Sequence, residues 1–343
     1  MKHLLNTLYV NNEGGYALLE GENIVIKKDD QVLGRFPLHI LQEIHLFTYA
    51  GASPALMGKC ANMGIELTFY TPDGRFLART TGRNRGNVLL RRQQYRWADS
   101  QEQSCLVARN FIFGKVSNAR WVLNRTRRDH AMRISVEDFE NTAEELKFLQ
   151  KKILEETSLD SLRGIEGVAA NQYFQLFDSM ILQNKEDFFF HGRNRRPPLD
   201  NVNALLSFVY SMLSNSCASA LEGVGLDSYV GFMHRDRPGR TSLAQDLMEE
   251  LRPCMGDRFV LTLINDRKIS AKDFEKQENG AVYLSVDGRK KVQKEWQERK
   301  KTIILHPFLK EKIEWGMVPY VQALLLARHI RGDIEEYPPF LWK

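Results

Sequence analysis

The chain has 343 residues, 43% hydrophobic and 27% charged, with a net charge of +5. That length suits about two domains, each able to bury its own core, and that balance excludes a disordered or fibrous chain. No apolar run approaches a bilayer span and residues 1–6 lack the apolar core of a signal peptide, so the expectation is a cytoplasmic protein without membrane association.

Up to about Thr81 the sequence is a series of short β-rich runs. Residues 8–10, 16–20, 23–26, 43–47, 65–70 and 75–79 predict strands, with residues 11–15, Asp29-Asp30 and Pro72-Asp73-Gly74 as turns. Residues 53–63 are the one helix predicted among them. Beyond Asn87 apolar residues recur at threes and fours, which predicts helices near 87–128, 137–157, 165–184, 199–221, 242–252, 287–300 and 316–331. The fold class is therefore α+β: a β-rich domain over 1–82, a linker over 83–86 bracketed by Gly82 and Gly86, and a mainly α-helical domain over 87–343.

Cys60, Cys105, Cys217 and Cys254 are scattered, with no zinc spacing, so each is expected to pack as a small buried hydrophobe in a reducing compartment. Between Arg75 and Arg128 arginines crowd together against only two acids, Asp99 and Glu102. This block reads either as a phosphate-contacting surface or as a solvated helix face paired with the acidic stretch 137–156.

Few residues carry chemistry. Helical spacing puts Glu166 on one face with Ala169, Ala170, Tyr173 and Phe177. A carboxylate on so apolar a face is costly to bury without a compensating cation, so a metal and a salt bridge to an arginine stand as equal readings. His234 closes residues 225–234 and precedes the turn Arg235-Asp236-Arg237-Pro238-Gly239-Arg240; it is either a ligand or a hydrogen-bonded loop residue. In 242–253, Ser242 and Gln245 predict a capping box and Arg252-Pro253 a helix end. Asp246 and Glu249 lie one turn apart, opposite a stripe of Ala244, Leu247, Met248 and Leu251. They either share a metal or form a wet face. One nitrogen with two or three oxygens suits a divalent cation such as Mn²⁺ or Mg²⁺, and Arg235, Arg237 and Arg240 beside it would neutralise a scissile phosphate. The sequence holds no Walker loop, dinucleotide fingerprint, His-Glu-x-x-His or nucleophile elbow.

Glu166 in its helix, residues 193–210, 225–234 and 242–253 together resemble the CRISPR-associated integrase of spacer acquisition, the universal endonuclease-like protein of the adaptation module. The resemblance covers essentially the whole chain, and residues 1–10 with the 236–240 loop look most like the type I-C subgroup. It implies a homodimer with an N-terminal β domain and a C-terminal helical domain, holding one Mn²⁺ or Mg²⁺ per active site. By the same resemblance Glu166, His234 and Glu249 are metal ligands and, with Asp246, the catalytic residues. This chain has Glu249 where many relatives carry aspartate, which leaves open whether Asp246 or Glu249 binds directly. The activity implied is insertion of foreign DNA fragments as new spacers into the repeat array by transesterification, or hydrolysis when water attacks. The implied partners are double-stranded and branched DNA and the small dimeric adaptation protein. Arg83, Arg85, Arg193, Arg195, Arg196, Arg235, Arg237 and Arg240 are candidates for gripping that DNA.

Two readings of other classes remain: a stand-alone metal-dependent nuclease on branched DNA in repair, and a non-catalytic DNA scaffold whose acids only bridge arginines. Asp200 is expected to cap the helix after Pro197 and Pro198. Asn203 is either a support for the ligand loop or a buried amide, the basic run 290–301 either a DNA contact or a solvated face, and the tail 337–342 either a docking peptide or a packed terminus.

Overall fold

The computed structural model describes residues 7–72, 76–80, 88–194 and 196–342; the expected linker over 83–86, Arg83, Arg85 and Arg195 fall outside them. The chain divides into two compact units. One comprises Met1–Arg85, Lys272–Ile303 and Glu314–Met317, the other Gly86–Ala271, Ile304–Ile313 and Val318–Lys343.

In the first unit β1 (Thr7–Val10), β2 (Tyr16–Glu20), β3 (Asn23–Lys28), β4 (Gln31–Pro37) and β5 (Glu43–Phe47) are followed by α1 (Pro54–Met63), β6 (Glu66–Tyr70) and β7 (Phe76–Arg79). Strands β2-β3-β4 form an antiparallel meander, while β1, β5 and β6 pair in parallel with β7 antiparallel at the edge. Parallel neighbours need a crossover, and α1 supplies it between β5 and β6. Ser53 caps α1 by accepting from Leu56 N at 3.2 Å. Asp29 and Asp30 both have positive φ, 46° and 62°, the two-residue turn whose twist suits a hairpin, and they bring Gln31 opposite Lys28. Ile24, Ile26, Leu38, Ile44, Leu46, Leu56 and Leu67 make the core.

The second unit begins with α2 (Val88–Asp99), α3 (Gln101–His130), α4 (Val136–Glu155), α5 (Leu159–Gln175), α6 (Asn201–Gly223) and α7 (Ser242–Leu251). A π-helical turn (Arg252–Asp257) runs from α7 into α8 (Arg258–Asn265). The expected helix over 87–128 is broken at Ser100, whose hydroxyl caps α3 through Gln103 N at 3.3 Å. Ser158 caps α5, which therefore starts six residues before the expected 165. Asp200 caps α6 as expected, accepting from Asn203 N at 2.7 Å. α6 is long and apolar enough to cross a membrane, with a mean hydropathy of 1.3, but 67% of that window is buried inside the protein, the mark of a core helix. All four cysteines are free and buried, as expected.

Downstream come β8 (Phe274–Lys276), β9 (Val282–Leu284), α9 (Val286–Lys300), β10 (Ile303–Leu305), β11 (Lys312–Glu314) and α10 (Val318–Arg331). The segment from Lys272 to Ile303 was expected within a continuous helical domain over 87–343, yet it folds with the first unit. The physical reason is a set of buried polar ties. Lys300, 3% exposed, pairs with Glu43 at 2.7 Å, and Gln293 accepts from Asn11 at 2.9 Å. The basic run 290–301 is thus divided: Lys300 is an interior charge, Lys291 pairs with Asp273 at 2.6 Å, and Lys290 and Lys301 pair within the helix.

Candidate active site

The centre of the second unit is α3, which packs on α4, α5 and α7. Its buried stripe includes Val107, Ala108, Phe111, Ile112, Val116 and Ala119, and within that stripe sits Lys115. Gly114 makes the approach to α7 possible: a Cβ there would come within 2.9 Å of Glu250 Cβ and 3.0 Å of Pro339 Cβ. Lys115 is thereby brought against the acids of α5 and α7.

The loop before α7 is fixed to that helix by its backbone. Leu243 N and Ala244 N donate to Ser228 O at 3.1 and 3.3 Å, so the helix start is capped by the loop's own carbonyl. Thr241 is the capping position and makes no side-chain bond, while Gln245 donates to Ser214 Oγ at 2.7 Å. The expected Ser242–Gln245 capping box is therefore absent. Asp246, fully buried, holds the loop from the other end. Its Oδ2 accepts from Phe232 N at 2.6 Å and Met233 N at 3.0 Å; its Oδ1 accepts from His234 N at 3.0 Å and from His234 Nδ1 at 2.6 Å. All four acceptor positions of the carboxylate are taken. Gly231 lets the loop come this close, since a Cβ there would lie 2.9 Å from Asp246 Oδ2. With the Nδ1 proton committed to Asp246, His234 presents Nε2, 4.0 Å from Glu249 Oε1.

Glu166 of α5 and Glu249 of α7 meet at one ammonium. Lys115 Nζ forms a close ion pair with Glu166 Oε1 and lies 2.6 Å from Glu249 Oε2, while Arg252 Nη1 is 3.0 Å from Glu249 Oε1. Glu249 Oε2 nevertheless makes no hydrogen bond of good geometry. Burial alone would raise the Glu249 pKa, but Arg252, Lys115 and His234 hold it well below the usual carboxylate range. Lys115 is shifted the opposite way: burial opposes its charge, and Glu249 and Glu166 outweigh burial and raise its pKa. Among the described residues, no three His, Cys, Asp or Glu side chains stand together closely enough to hold an ion as they are placed.

Several expectations are corrected here. The partner of Glu166 is a lysine, not an arginine. α7 has no wet face, because Asp246, Glu249 and Glu250 are buried along with Leu243, Ala244, Leu247, Met248 and Leu251. α7 does end at Leu251, before Arg252-Pro253 as expected, but the helical path continues through a π turn that accommodates the proline. Arg193 is half-buried, donating to Asn203 Oδ1 at 2.5 Å and stacking 5.2 Å from the Tyr210 ring. Asn203 is both a buried amide and a loop support, donating to Gly192 O at 2.9 Å and Asp200 Oδ2 at 2.7 Å. Arg196, Arg235 and Arg237 are exposed, and Arg235 pairs with Asp160 at 3.2 Å. In the basic block, Arg127 and Arg120 pair with Glu140 and Glu144 of α4 at 3.1 and 4.0 Å, so this part of it follows the helix-pairing alternative. The tail is packed: Tyr337 is 1% exposed, and Trp342 N donates to Asn118 Oδ1 at 2.8 Å.

Sequence reasoning missed Lys115, Arg252 and Arg163. Arg163 donates to Met233 O at 3.1 and 2.7 Å and so braces the loop next to His234. Lys115 had a usable signal, a lone charge inside an apolar helical stretch, the same signal that singled out Glu166.

Residues 8–298 match the family described as CRISPR associated protein Cas1. The CRISPR-associated endonuclease Cas1 1 of Chlorobaculum tepidum is 48% identical over 343 residues, covering 100% of both chains. Among solved structures, a casposase bound to integration product superposes with a TM-score of 0.84 at 22% identity, covering 99% of this chain and 95% of that one. A Cas6-RT-Cas1–Cas2 complex gives a TM-score of 0.80 at 23% identity, covering 100% of this chain and 36% of that one. At those identities the structural likeness speaks for the fold, and the sequence matches carry the rest: the chain belongs to the Cas1 family of CRISPR-associated endonucleases.

Proposed function

We propose that this protein is a metal-dependent DNA integrase and endonuclease of CRISPR adaptation, inserting foreign DNA fragments as new spacers by transesterification. The observation that carries the reading is the meeting of Glu166 and Glu249 on one largely enclosed cation, Lys115, with His234 Nε2 aimed beside them by Asp246. Nucleases of this family are generally metal-dependent. The residues fit such an ion: two carboxylates already gather around a positive charge, one of their oxygens lacks a good hydrogen bond, and an imidazole nitrogen is free on the same side. We assign Glu166, His234 and Glu249 as the ligands of Mn²⁺ or Mg²⁺. When bound, the ion would polarise a phosphodiester and stabilise the charge of in-line attack.

The rest is done by the chain. Asp246 has no acceptor position left, so in this reading it orients His234 rather than binding directly, as carboxylates behind metal-bound histidines do. Arg252 fixes Glu249, and Arg163 fixes the His234 loop. A cleft lined by Tyr95, Ser158, Asp160, Arg163 and Arg235 opens beside His234 and is the proposed approach for DNA. Arg196, Arg235, Arg237 and Arg240 would grip its backbone, which makes binding steeply salt-dependent. Arg193 is better read as a support of that region, given its bond to Asn203 and its stacking on Tyr210. The partners proposed are double-stranded and branched DNA, a second copy of this chain and the small Cas2 adaptation protein, acting in the cytoplasm. The type I-C assignment rests on residues 1–10 and 236–240 of the sequence.

The test is strand transfer of a labelled 3′-hydroxyl DNA into a repeat-containing target, with Mn²⁺ or EDTA and with the partner protein present. Metal-dependent joining that disappears in Glu166→Ala and His234→Ala supports the proposal. Tight DNA binding with neither joining nor cutting would favour the scaffold. Cutting of branched DNA without joining would favour the repair nuclease.

A further inference from the structure

We infer that Lys115 is a tethered cation that holds Glu166 and Glu249 together in the metal-free protein and has to leave before a divalent ion can enter. The inference rests on the proposed assignment of those two acids as ligands. Lys115 Nζ touches both of them, and a metal bound to both would take up the same space, with oxygens at roughly 2.0–2.6 Å. An ammonium and a divalent ion cannot share that volume, and their like charges forbid close coexistence. Lys115 therefore competes with the metal for one pair of carboxylates.

Three features suit a cation that departs rather than one fixed for stability. Glu249 Oε2 receives charge from Lys115 without a well-formed hydrogen bond. Arg252 holds the other oxygen of Glu249 at 3.0 Å, so that carboxylate stays in place once the lysine withdraws. A cavity lies beside Lys115, walled by Tyr173, Arg193, Tyr210 and Asp257, which offers room for the displaced side chain and one carboxylate on its wall. Lys115 is a positioning residue. It keeps the buried Glu249 and the half-buried Glu166 from repelling each other in the metal-free protein, at the expense of metal affinity.

The experiment is Mn²⁺ binding to the full chain by titration calorimetry and by the paramagnetic resonance signal of free Mn²⁺. Wild type is compared with Lys115→Met, Lys115→Arg and Glu166→Gln, together with thermal unfolding in EDTA. Lys115→Met is expected to bind Mn²⁺ about tenfold more tightly, because the fraction of protein with an open site rises. Its unfolding midpoint in EDTA should fall, and Mn²⁺ should restore it. Lys115→Arg, still cationic, should bind no more tightly than wild type. If Lys115→Met does not fold in EDTA, Lys115→Gln carries the same expectation. Unchanged or weaker Mn²⁺ binding in the uncharged variants overturns the inference while leaving the site intact. Wild-type protein that binds no Mn²⁺, or binds it equally well after Glu166→Gln, overturns the ligand assignment and the inference with it.

Discussion

Glu249 and Glu250 are consecutive on α7 and nearly equally buried, 4% and 0% exposed, yet the molecule treats them in opposite ways. Glu249 faces Lys115 and Arg252, whose charges keep it ionised. Glu250 faces the C-terminal segment and meets only neutral donors: Gln322 Nε2 at 3.0 Å, Phe340 N at 2.9 Å and the Tyr337 hydroxyl. Burial pushes its carboxyl up to about 7, against the smaller pull of those donors. Burial by itself thus decides nothing about a carboxylate; what decides is whether full charges or only dipoles answer it. One helix presents a charged face for a cation and, directly behind it, a neutral face that fastens the tail.

The largest effect should come from breaking the charged face. Glu249→Ala is expected to lower strand transfer or cutting by about 10³-fold, the scale of losing one preorganised electrostatic group. Glu250→Ala should do the reverse. It orphans Phe340 N and the Tyr337 hydroxyl proton at once, while Gln322 keeps Tyr337 and Pro338 O, so urea unfolding should show a loss of about 3 kcal/mol. Mn²⁺ affinity at a temperature where the protein is folded should stay close to wild type. If Glu250→Ala abolished Mn²⁺ binding without a loss of stability, the two faces would not be separate.

Asp246→Asn sharpens the same contrast from the loop side. An amide has only one acceptor oxygen, whereas Asp246 serves three backbone N–H groups and His234 Nδ1. The amide nitrogen would face donors, and the imidazole would lose its fixed orientation. Metal affinity should fall by about 10- to 100-fold, the usual consequence of removing a carboxylate behind a ligating histidine. Calorimetric Mn²⁺ titration of the variant reads this directly, and an unchanged affinity would mean that Asp246 does not set the His234 geometry.

Much of this arrangement is written locally, and the rest is not. The β-rich runs and the helix over 53–63 appear where expected because alternating apolar residues and turn residues act over a few positions. β4 escapes notice because its side chains are mostly exposed, with Gly34 inside it and Pro37 at its end, so no alternation marks it. Glu166 stood out as a charge on an apolar face; its partner did not, because the packing of α3 on α5 and α7 is a tertiary fact, with the approach to α7 permitted by Gly114. The capping box at Ser242 failed for a related reason. The N–H groups it needs are held by backbone carbonyls, Gln245 N by Thr241 O at 3.0 Å and Ser242 N by Arg240 O at 2.9 Å, while the distant Ser228 O takes Leu243 N and Ala244 N, and a sequence pattern holds no record of such partners.

Asp257 shows burial prevailing over both neutral donors and nearby charges, the Tyr210 and Tyr173 hydroxyls and then Arg252 and Arg193, and so allows a pH test. It is buried, its Oδ1 accepts from the Tyr210 hydroxyl, and burial pushes its pKa from 3.8 up to about 6. The folded state then holds a proton that the unfolded chain has released. The stabilising contribution is complete below about pH 4 and is lost as pH rises through about 6. Asp257→Asn removes this titration. The difference in unfolding free energy between wild type and variant should shift against wild type by on the order of 2 kcal/mol from pH 4 to 7. Parallel stability profiles would place the Asp257 proton in solvent rather than in the fold.

The smallest effect is expected at the far end of the neutral face. Tyr337→Phe removes one hydroxyl that donates to Glu250 and accepts from Gln322 Nε2 at 2.7 Å. Little is orphaned, since Gln322 keeps Glu250 at 3.0 Å and Pro338 O at 3.1 Å, and Glu250 keeps Gln322 and Phe340 N. The loss should be about 1 kcal/mol, the net worth of one hydrogen bond, read from urea unfolding at fixed pH. Mn²⁺ affinity should not move, because Glu249 points away from the tail toward Lys115 and Arg252. A change in affinity on so slight a substitution would show that strain in the tail passes through α7 to the ligand beside Glu250, and the C-terminal segment would then belong to the site and not only to the fold.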